Sequence, residues 1–246
     1  MSTAVPAAAK AELTRTGKLR AGINFQNQFL TTLGPNGEQG GVAVEFAREL
    51  ARRLEVPVEI IAYKSAGSLA DSVSSGAWDI SVLGDEPERA KVIAFAPPLT
   101  ELEATYLVPE GSSIKSVDDV DRKGLRIVSP AKSAFDLYLA RTIKNAELIQ
   151  IAGNKAAQDH FVNEKADALA GLKPALQELA PKMPGFRMLD GRFCTVRHTV
   201  GMPRDGRDAA VAYIRDVVED VKASGLVAEW IKKSGVKGLG VAPAAD

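Results

Sequence analysis

The stretch Trp78–Phe95, WDISVLGDEPERAKVIAF, indicates the fold class of this chain. Its first part, Trp78–Leu83, is a nearly continuous apolar run, which is typical of a strand buried on both faces of a parallel sheet. Glu86-Pro87 predicts a helix start, because proline is favoured in the first turn of a helix. A second strand is predicted at Val92–Phe95, ending at the break that Pro97-Pro98 suggests. Strand, helix and strand in succession favour an α/β fold.

The same alternation extends in both directions. A helix at Val44–Leu54, with apolar residues recurring on one face, separates strands predicted at Lys18–Phe25 and Val58–Tyr63. Ser68 to Asp71 fits a capping box that opens a short helix, which Gly76 ends. Further strands are predicted at 105–108, 125–129, 148–151, 168–170 and 186–189, and helices at 133–144, 155–163, 174–180, 208–224 and 227–234. This pattern predicts parallel sheets covered by helices.

Composition excludes several classes of function. The 31 basic and 31 acidic residues balance to a net charge of zero, which argues against nucleic-acid binding. The single cysteine, Cys194, excludes an internal disulfide and is expected to be an inert thiol. No spacing of ligands predicts a metal or cofactor. Met1–Lys10 lacks the pattern of a secretory signal, and no apolar run is long enough to span a membrane. A monomer is expected.

The motif order resembles a known family, the type II solute-binding proteins of bacterial uptake systems, in particular the amino-acid-binding branch known as extracellular solute-binding protein family 3. That branch has an aspartate, an apolar strand, a polar loop, Thr-Pro-Glu-Arg and a strand that ends in phenylalanine. Here Asp79, Glu86-Pro87-Glu88-Arg89 and Phe95 follow in that order. The similarity continues in LRAGINF, GGVAVEFARELARRL, SSIKSVDDVDRKGLRIV and HTVGMPRDG. Most of the chain, from Lys18 to Ser234, is covered.

The resemblance implies a two-lobed α/β fold of the type II periplasmic-binding-protein class, each lobe a mostly parallel sheet flanked by helices. Residues 1–100 and 199–246 would form lobe 1, residues 101–198 lobe 2, and a small solute would bind in the cleft between them. Closure of the lobes around the solute would be a hinge motion.

Arg89 is the first candidate for ligand binding. In the family, the arginine of the Thr-Pro-Glu-Arg segment pairs with the ligand's carboxylate through two parallel hydrogen bonds. The loop between Asp79 and Arg89 is two residues shorter than in the family. The alternative is a surface arginine that pairs with Asp85 or Glu86.

A second candidate is the segment Lys132-Ser133-Ala134, which stands where the family has a Gly-Thr-Thr-like segment that binds the same carboxylate. Ser133 and Asp136 fit a capping box, so free amide groups at the start of a helix are expected there. The alternative is a simple helix cap with a solvated lysine.

Leu172 is informative because it stands where the family has a residue that contacts the ligand. Amino-acid-binding members of the family have an aspartate here, and it binds the ammonium group of the ligand. A buried ammonium without a carboxylate partner is costly to desolvate. We therefore expect ordinary α-amino acids to be poor ligands and a carboxylate-bearing solute to be a better one.

Lobe 1 is expected to contribute polar contacts and an apolar wall. After the first predicted strand, Asn24 and Asn27 are candidates for polar contacts, and Phe25 for the wall; both asparagines also suit turns. Three weaker candidates are Ser65 and the backbone at Gly84 and Asp85.

The resemblance implies the first two of three functions that we consider. The first is non-catalytic binding of a small anionic solute for an ABC-type uptake system, with a membrane permease as partner and no cofactor. The second is a dehydratase or related lyase, for which Asp85, Glu86 and Lys132 are the candidate acids and bases. The third is a cytosolic ligand-sensing module. The protein would be periplasmic if a leader had been removed, and cytoplasmic otherwise.

Overall fold

The computed structural model describes residues 4–245, which divide into two compact units. The first unit includes the chain up to Glu101 and again from Arg197, and the second comprises Leu102–Val196. The chain passes between the units twice, within strand β6 (Ile93–Pro109) and within strand β11 (Cys194–Pro203).

Unit 1 is built from the two ends of the chain. Besides its parts of β6 and β11, it contains α1 (Ala7–Leu13), β1 (Leu19–Asn24), β2 (Thr32–Leu33), β3 (Gln39–Gly40), α2 (Val42–Leu54), β4 (Val58–Tyr63), α3 (Ala66–Asp71), β5 (Ile80–Gly84), α4 (Pro87–Ala90), α8 (Asp208–Ala223), α9 (Leu226–Ser234) and β12 (Gly240–Val241). Strand β1 pairs in parallel with both β4 and β5, and β11 pairs antiparallel with β5. The two short strands β2 and β3 form a separate hairpin.

Unit 2 repeats the architecture with one continuous segment. It contains β7 (Arg126–Pro130), α5 (Ala134–Thr142), β8 (Glu147–Ile151), α6 (Asn154–Asn163), β9 (Ala168–Leu172), α7 (Lys173–Leu179) and β10 (Phe186–Met188). Strand β7 pairs in parallel with β8 and β9, while β6 pairs antiparallel with β9 and β10. Both faces of this sheet are covered: Phe135 of α5 packs in one apolar cluster and Phe161 of α6 in the other.

Close packing in unit 1 depends on Gly22 in the middle of β1. A Cβ atom at this position would lie 2.7 Å from Leu69 Cδ1 and 3.0 Å from Trp78 Cγ. Trp78 is fully buried and Trp230 is 9% exposed, so both belong to the core of unit 1.

The alternating pattern of the sequence is confirmed, with three differences. The strand predicted to break at Pro97-Pro98 continues through both prolines as β6, because the fixed φ of proline is compatible with extended backbone and only a ladder donor is lost. The short helix after β4 is capped by Ser65, whose Oγ accepts the Ser68 N–H, rather than opened by Ser68. Helix α1 and strand β12 had no sequence prediction.

Among residues 4–245, no helix combines the length and apolar character that a membrane span requires.

Candidate functional site

The unit 1 candidates all follow the carboxyl ends of parallel strands. Asn24 ends β1, Ser65 comes shortly after β4, and Gly84 ends β5. Because β1 pairs in parallel with both β4 and β5, these ends lie at one edge of the sheet. In open α/β sheets this edge is where ligands bind.

The polar side chains at this edge are mostly engaged in local turns. The Oδ1 atom of Asn24 accepts the Gln26 N–H at 3.0 Å, and that of Asn27 accepts the Phe29 N–H at 3.1 Å. Ser65 Oγ caps α3. Phe25 is half-buried, and its N–H donates to the Tyr63 carbonyl. The turn-forming alternative therefore describes the asparagine contacts, and contact with a ligand stays a prediction.

Arg89 is buried within unit 1. Its side chain belongs to α4, it is 5% exposed, and its Nη1 donates to the Gly84 carbonyl at 3.0 Å. Burial lowers the pKa of Arg89 to about 10, although the negative charges of Glu86, Asp71 and Asp85 oppose this shift. Arg89 is therefore a buried residue rather than a surface one, and its bond to the Gly84 carbonyl holds the end of β5.

Asp85 forms an ion pair with Arg197, a residue that sequence reasoning did not identify. Arg197 Nη2 lies 3.0 Å from Asp85 Oδ2, and the two side chains are 56% and 22% exposed, respectively. The pairing of β5 with β11 explains the contact, because His198 lies opposite Gly84 and the register therefore brings Arg197 beside Asp85. A charged residue next to the predicted lobe boundary at residues 198 and 199 was the available signal.

His198 lies beside this pair and points inward. The residue is 3% exposed, its Nδ1 lies 3.3 Å from Thr100 Oγ1, and its Nε2 lies 3.4 Å from Asn27 Nδ2. Burial, with a contribution from the positive charge of Arg89, lowers the pKa of His198 to about 4. His198 is therefore neutral at pH 7. Because the Asn27 amide is a donor, Nε2 is the acceptor and Nδ1 carries the proton.

In unit 2, the segment between β7 and α5 forms a cap. Ser133 Oγ accepts the Asp136 N–H at 3.1 Å, and Asp136 Oδ2 accepts the Lys132 N–H at 2.7 Å and the Gln150 Nε2–H at 2.8 Å. Lys132 is exposed and adopts φ 59°, in the left-handed region where the resemblance implies glycine. The first-turn amides of Ala134 and Phe135 have no acceptor within the helix, as helix geometry requires.

Leu172 ends β9 and lies close to this cap in the sheet. The β7–β9 register places Ile127 opposite Ala168, so Leu172 comes opposite Ala131. Leu172 is partly buried against the apolar cluster under α5. On its other side, β6 places Ala104 opposite Leu172, and both pack in the cluster under α5, whereas Glu103, the preceding residue of β6, points to the opposite face of the sheet.

Glu103 is already paired with two cations. Its Oε2 lies 2.8 Å from Lys173 Nζ, and its Oε1 lies 2.6 Å from Arg192 Nη1. Hydrogen bonds from Lys173 and Arg192 lower the pKa of Glu103. Glu103 therefore belongs to an ion-pair cluster of two cations and one carboxylate.

Asp79, the aspartate of the quoted motif, has a structural role. It is fully buried, and Arg20 binds it through Nε at 3.0 Å and Nη2 at 2.8 Å. Arg207, which precedes α8 and is 4% exposed, adds a contact at 3.2 Å.

Within the described range, no cluster of three or more histidine, cysteine or carboxylate side chains is suited to a metal ion.

Known proteins resemble this chain over most of its length. The model of bacterial extracellular solute-binding proteins, family 3, matches residues 19–236. The L-cystine-binding protein TcyJ of Escherichia coli (strain K12) is 22% identical over 213 residues, which is 85% of this chain and 79% of that protein.

Two solved structures share the fold. An ancestral amino acid-binding protein, a precursor of cyclohexadienyl dehydratase, has a TM-score of 0.73 at 21% identity and covers 91% of this chain and 98% of its own. The amino acid ABC transporter substrate-binding protein AbpA of Streptococcus pneumoniae, bound to L-arginine, has a TM-score of 0.72 at 20% identity, with coverages of 90% and 96%. These likenesses confirm the two-lobed type II binding-protein fold. Since the family model matches most of its length, the chain belongs to the bacterial extracellular solute-binding proteins of family 3.

Proposed function

We propose that this protein is the solute-binding component of an ABC-type uptake system and binds a small carboxylate-bearing solute. Membership of family 3 supports the solute-binding role. The AbpA likeness supports an ABC transporter, and therefore a membrane permease as partner. An extracytoplasmic location follows from the same role, and cell fractionation of the native host tests it.

The observation that carries the choice of solute is the environment of Leu172. An α-amino acid needs a carboxylate for its ammonium group, because an unpaired buried charge is costly. Position 172 is apolar, and Glu103, which points to the other face of the sheet, is bound by Lys173 and Arg192. The side chain opposite Leu172 on β6, Ala104, is apolar as well, so neither position offers a carboxylate to an ammonium group. A solute with a carboxylate and no α-ammonium avoids this cost.

The start of α5 is the proposed binding site for the carboxylate on the side of unit 2. The amides of Ala134 and Phe135 and the positive end of the helix dipole favour an anion. Ser133 has a hydroxyl there, and Lys132 adds a positive charge. On the side of unit 1, the resemblance implies Arg89, whose Nη1 donates to the Gly84 carbonyl. Asn24, Phe25, Asn27 and Ser65 line the same edge.

We propose binding without catalysis. A lyase would need a positioned acid or base. Of the candidates, Asp85 is paired with Arg197, and Glu86 is 9% exposed at the start of α4. The precursor of cyclohexadienyl dehydratase that shares the fold is itself an amino acid-binding protein, so this likeness does not favour a lyase.

A thermal-shift panel of matched pairs tests the choice of solute. Each pair consists of an α-amino acid and its deaminated analogue, such as L-glutamate with glutarate or L-alanine with propionate; L-cystine and L-arginine are included because relatives bind them. A ligand at about 100 times its Kd stabilises by roughly 2.7 kcal/mol. For a chain of this size that is a rise in Tm of about 5 to 11 °C.

We expect at least one deaminated acid to raise Tm and its amino-acid partner to have less effect. Strong stabilisation by an amino acid, with none by its deaminated analogue, would contradict the proposed solute class while leaving the solute-binding role intact.

A further inference from the structure

An apolar row crosses the sheet of unit 2 at the edge where α5 begins. Leu172 ends β9, and the antiparallel register of β6 and β9 places Ala104 opposite it. On the other side of β6, the Phe193 N–H donates to the Ala104 carbonyl at 3.0 Å. Leu172, Ala104 and Phe193 therefore lie side by side, and all three pack in the apolar cluster under α5.

The exposed fraction of the side chains on this face rises at the edge. Ala168 and Ala170, the earlier residues of β9 in the same cluster, are 0% and 1% exposed. Leu172 and Phe193 are partly exposed, and the Phe193 ring packs on Tyr106 with the two centroids 4.5 Å apart. The apolar surface that this row leaves open to solvent therefore lies at the end of the strand.

This surface adjoins the proposed carboxylate site. The parallel register of β7 and β9 brings Leu172 opposite Ala131. Ala131 is followed by Lys132 and then by Ser133, whose Oγ caps α5. A carboxylate at the start of α5 would thus have Leu172 as a neighbour in the same unit.

The charged side chains next to this row in the sequence belong to the other face of the sheet. Glu103 precedes Ala104 on β6, so it points away from α5. It binds Lys173 at 2.8 Å and Arg192 at 2.6 Å. On the α5 face, the row therefore offers hydrocarbon surface beside a helix start that favours an anion.

We propose that Leu172 and Phe193 form an apolar subsite of unit 2 and that the solute is a monocarboxylic acid, whose hydrocarbon substituent contacts these two side chains. This inference rests on the proposed function and narrows its solute class. A second carboxylate on the solute would meet two side chains that have no donor for it, and an unpaired charge is costly to desolvate. A hydrocarbon chain instead gains free energy when it removes apolar surface from water.

A chain-length series of acids tests this subsite in the wild-type protein. The probes are propionate, butyrate and valerate, together with glutarate, the dicarboxylate with the same number of carbon atoms as valerate. Calorimetry measures each Kd. We expect Kd to fall about fourfold for each methylene that becomes buried. Valerate should bind at least about tenfold more tightly than glutarate, because only glutarate brings a second charge to the row.

Three variants test the role of Leu172. Leu172→Asn puts an amide of similar size on the surface, and we expect it to raise the Kd of valerate about 10-fold and that of propionate no more than about threefold. Leu172→Met keeps the apolar volume and should keep the dependence on chain length. Val162→Asn is the matched control, since Val162 is 43% exposed on α6, which covers the other face of the sheet.

The ratio of the two Kd values separates a subsite from a structural role. A loss of folded protein would raise the apparent Kd of propionate and valerate alike, whereas loss of an apolar contact changes their ratio. A ratio in Leu172→Asn equal to that in Val162→Asn, or tighter binding of glutarate than of valerate by the wild type, would overturn the apolar subsite. Wild-type protein that bound none of the acids would instead refute the proposed solute class, so the two failures are distinguishable.

Discussion

His198 is a buried titratable side chain between three chain segments. It contacts Thr100 and Asn27, and its pKa is lowered to about 4 from a usual value of 6.5. Between these two pH values the His198 imidazole is mostly protonated in the unfolded chain and mostly neutral in the folded protein. The free energy of unfolding therefore falls as the pH decreases from 6.5 to 4.

We predict that His198→Gln reduces this pH dependence. The shift of the wild-type His198 corresponds to about 3 kcal/mol over the whole interval. Glutamine does not titrate, and its amide can replace both contacts. Urea denaturation at pH 7 and pH 4.5 measures the difference, with His160→Gln on α6 as the control. Equal pH dependence in the wild type and the His198 variant would show that His198 is protonated inside the fold.

Sequence reasoning at the scale of single residues succeeded where the contact is local. Ser133 capping a helix and asparagines forming turns depend on neighbours within a few positions. The burial of Arg89 and the pairing of Arg197 with Asp85 depend on a shortened loop and on a strand more than one hundred positions away. No local pattern contains that information.

At the scale of elements, the start of α5 contains a lysine in a conformation that suits glycine. Lys132 has φ 59°, and its N–H is bound by Asp136. The left-handed region costs a residue with a Cβ atom roughly 1 kcal/mol relative to glycine. A lysine in this unfavourable conformation is consistent with a role of its ammonium group in solute binding.

We predict that Lys132→Gly stabilises the free protein and weakens solute binding. Relief of the left-handed conformation should raise the free energy of unfolding by roughly 0.5 to 1 kcal/mol, while Kd for the carboxylate rises. Lys165→Gly is the matched control, because Lys165 has φ 50° at the end of α6 and should gain the same stability without a change in Kd. Unchanged affinity in Lys132→Gly would show that the Lys132 side chain does not contribute to solute binding.

The order of elements was largely predictable, since apolar periodicity is a local property of the sequence. The passage of β6 through Pro97-Pro98 was not, because extended backbone tolerates proline wherever its missing N–H has no ladder partner. Helix α1 was missed because its seven residues, AAAKAEL, are mostly alanine and show little amphipathic pattern.

At the scale of the molecule, Asp79 connects the two segments that make up unit 1. It is bound by Arg20 from the first segment and by Arg207 from the second. We predict that Asp79→Asn lowers the free energy of unfolding by about 3 to 5 kcal/mol, the usual cost of removing one partner from a buried ion pair.

Chemical denaturation measures the effect of Asp79→Asn. The control is Glu59→Gln, which removes the exposed pair with Lys18 and should cost no more than about 1 kcal/mol. A loss for Asp79→Asn as small as that of the control would mean that the two arginines are satisfied by other acceptors.

The division of unit 1 into two segments has a consequence for biosynthesis. Unit 2 is continuous in the chain, whereas the sheet of unit 1 lacks β11 until translation has passed Val196. At about 5 to 20 residues per second, the remaining stretch of roughly fifty residues takes about 3 to 10 s to be made. During that time all strands and helices of unit 2 have been synthesised, whereas β5 of unit 1 still lacks its antiparallel partner strand.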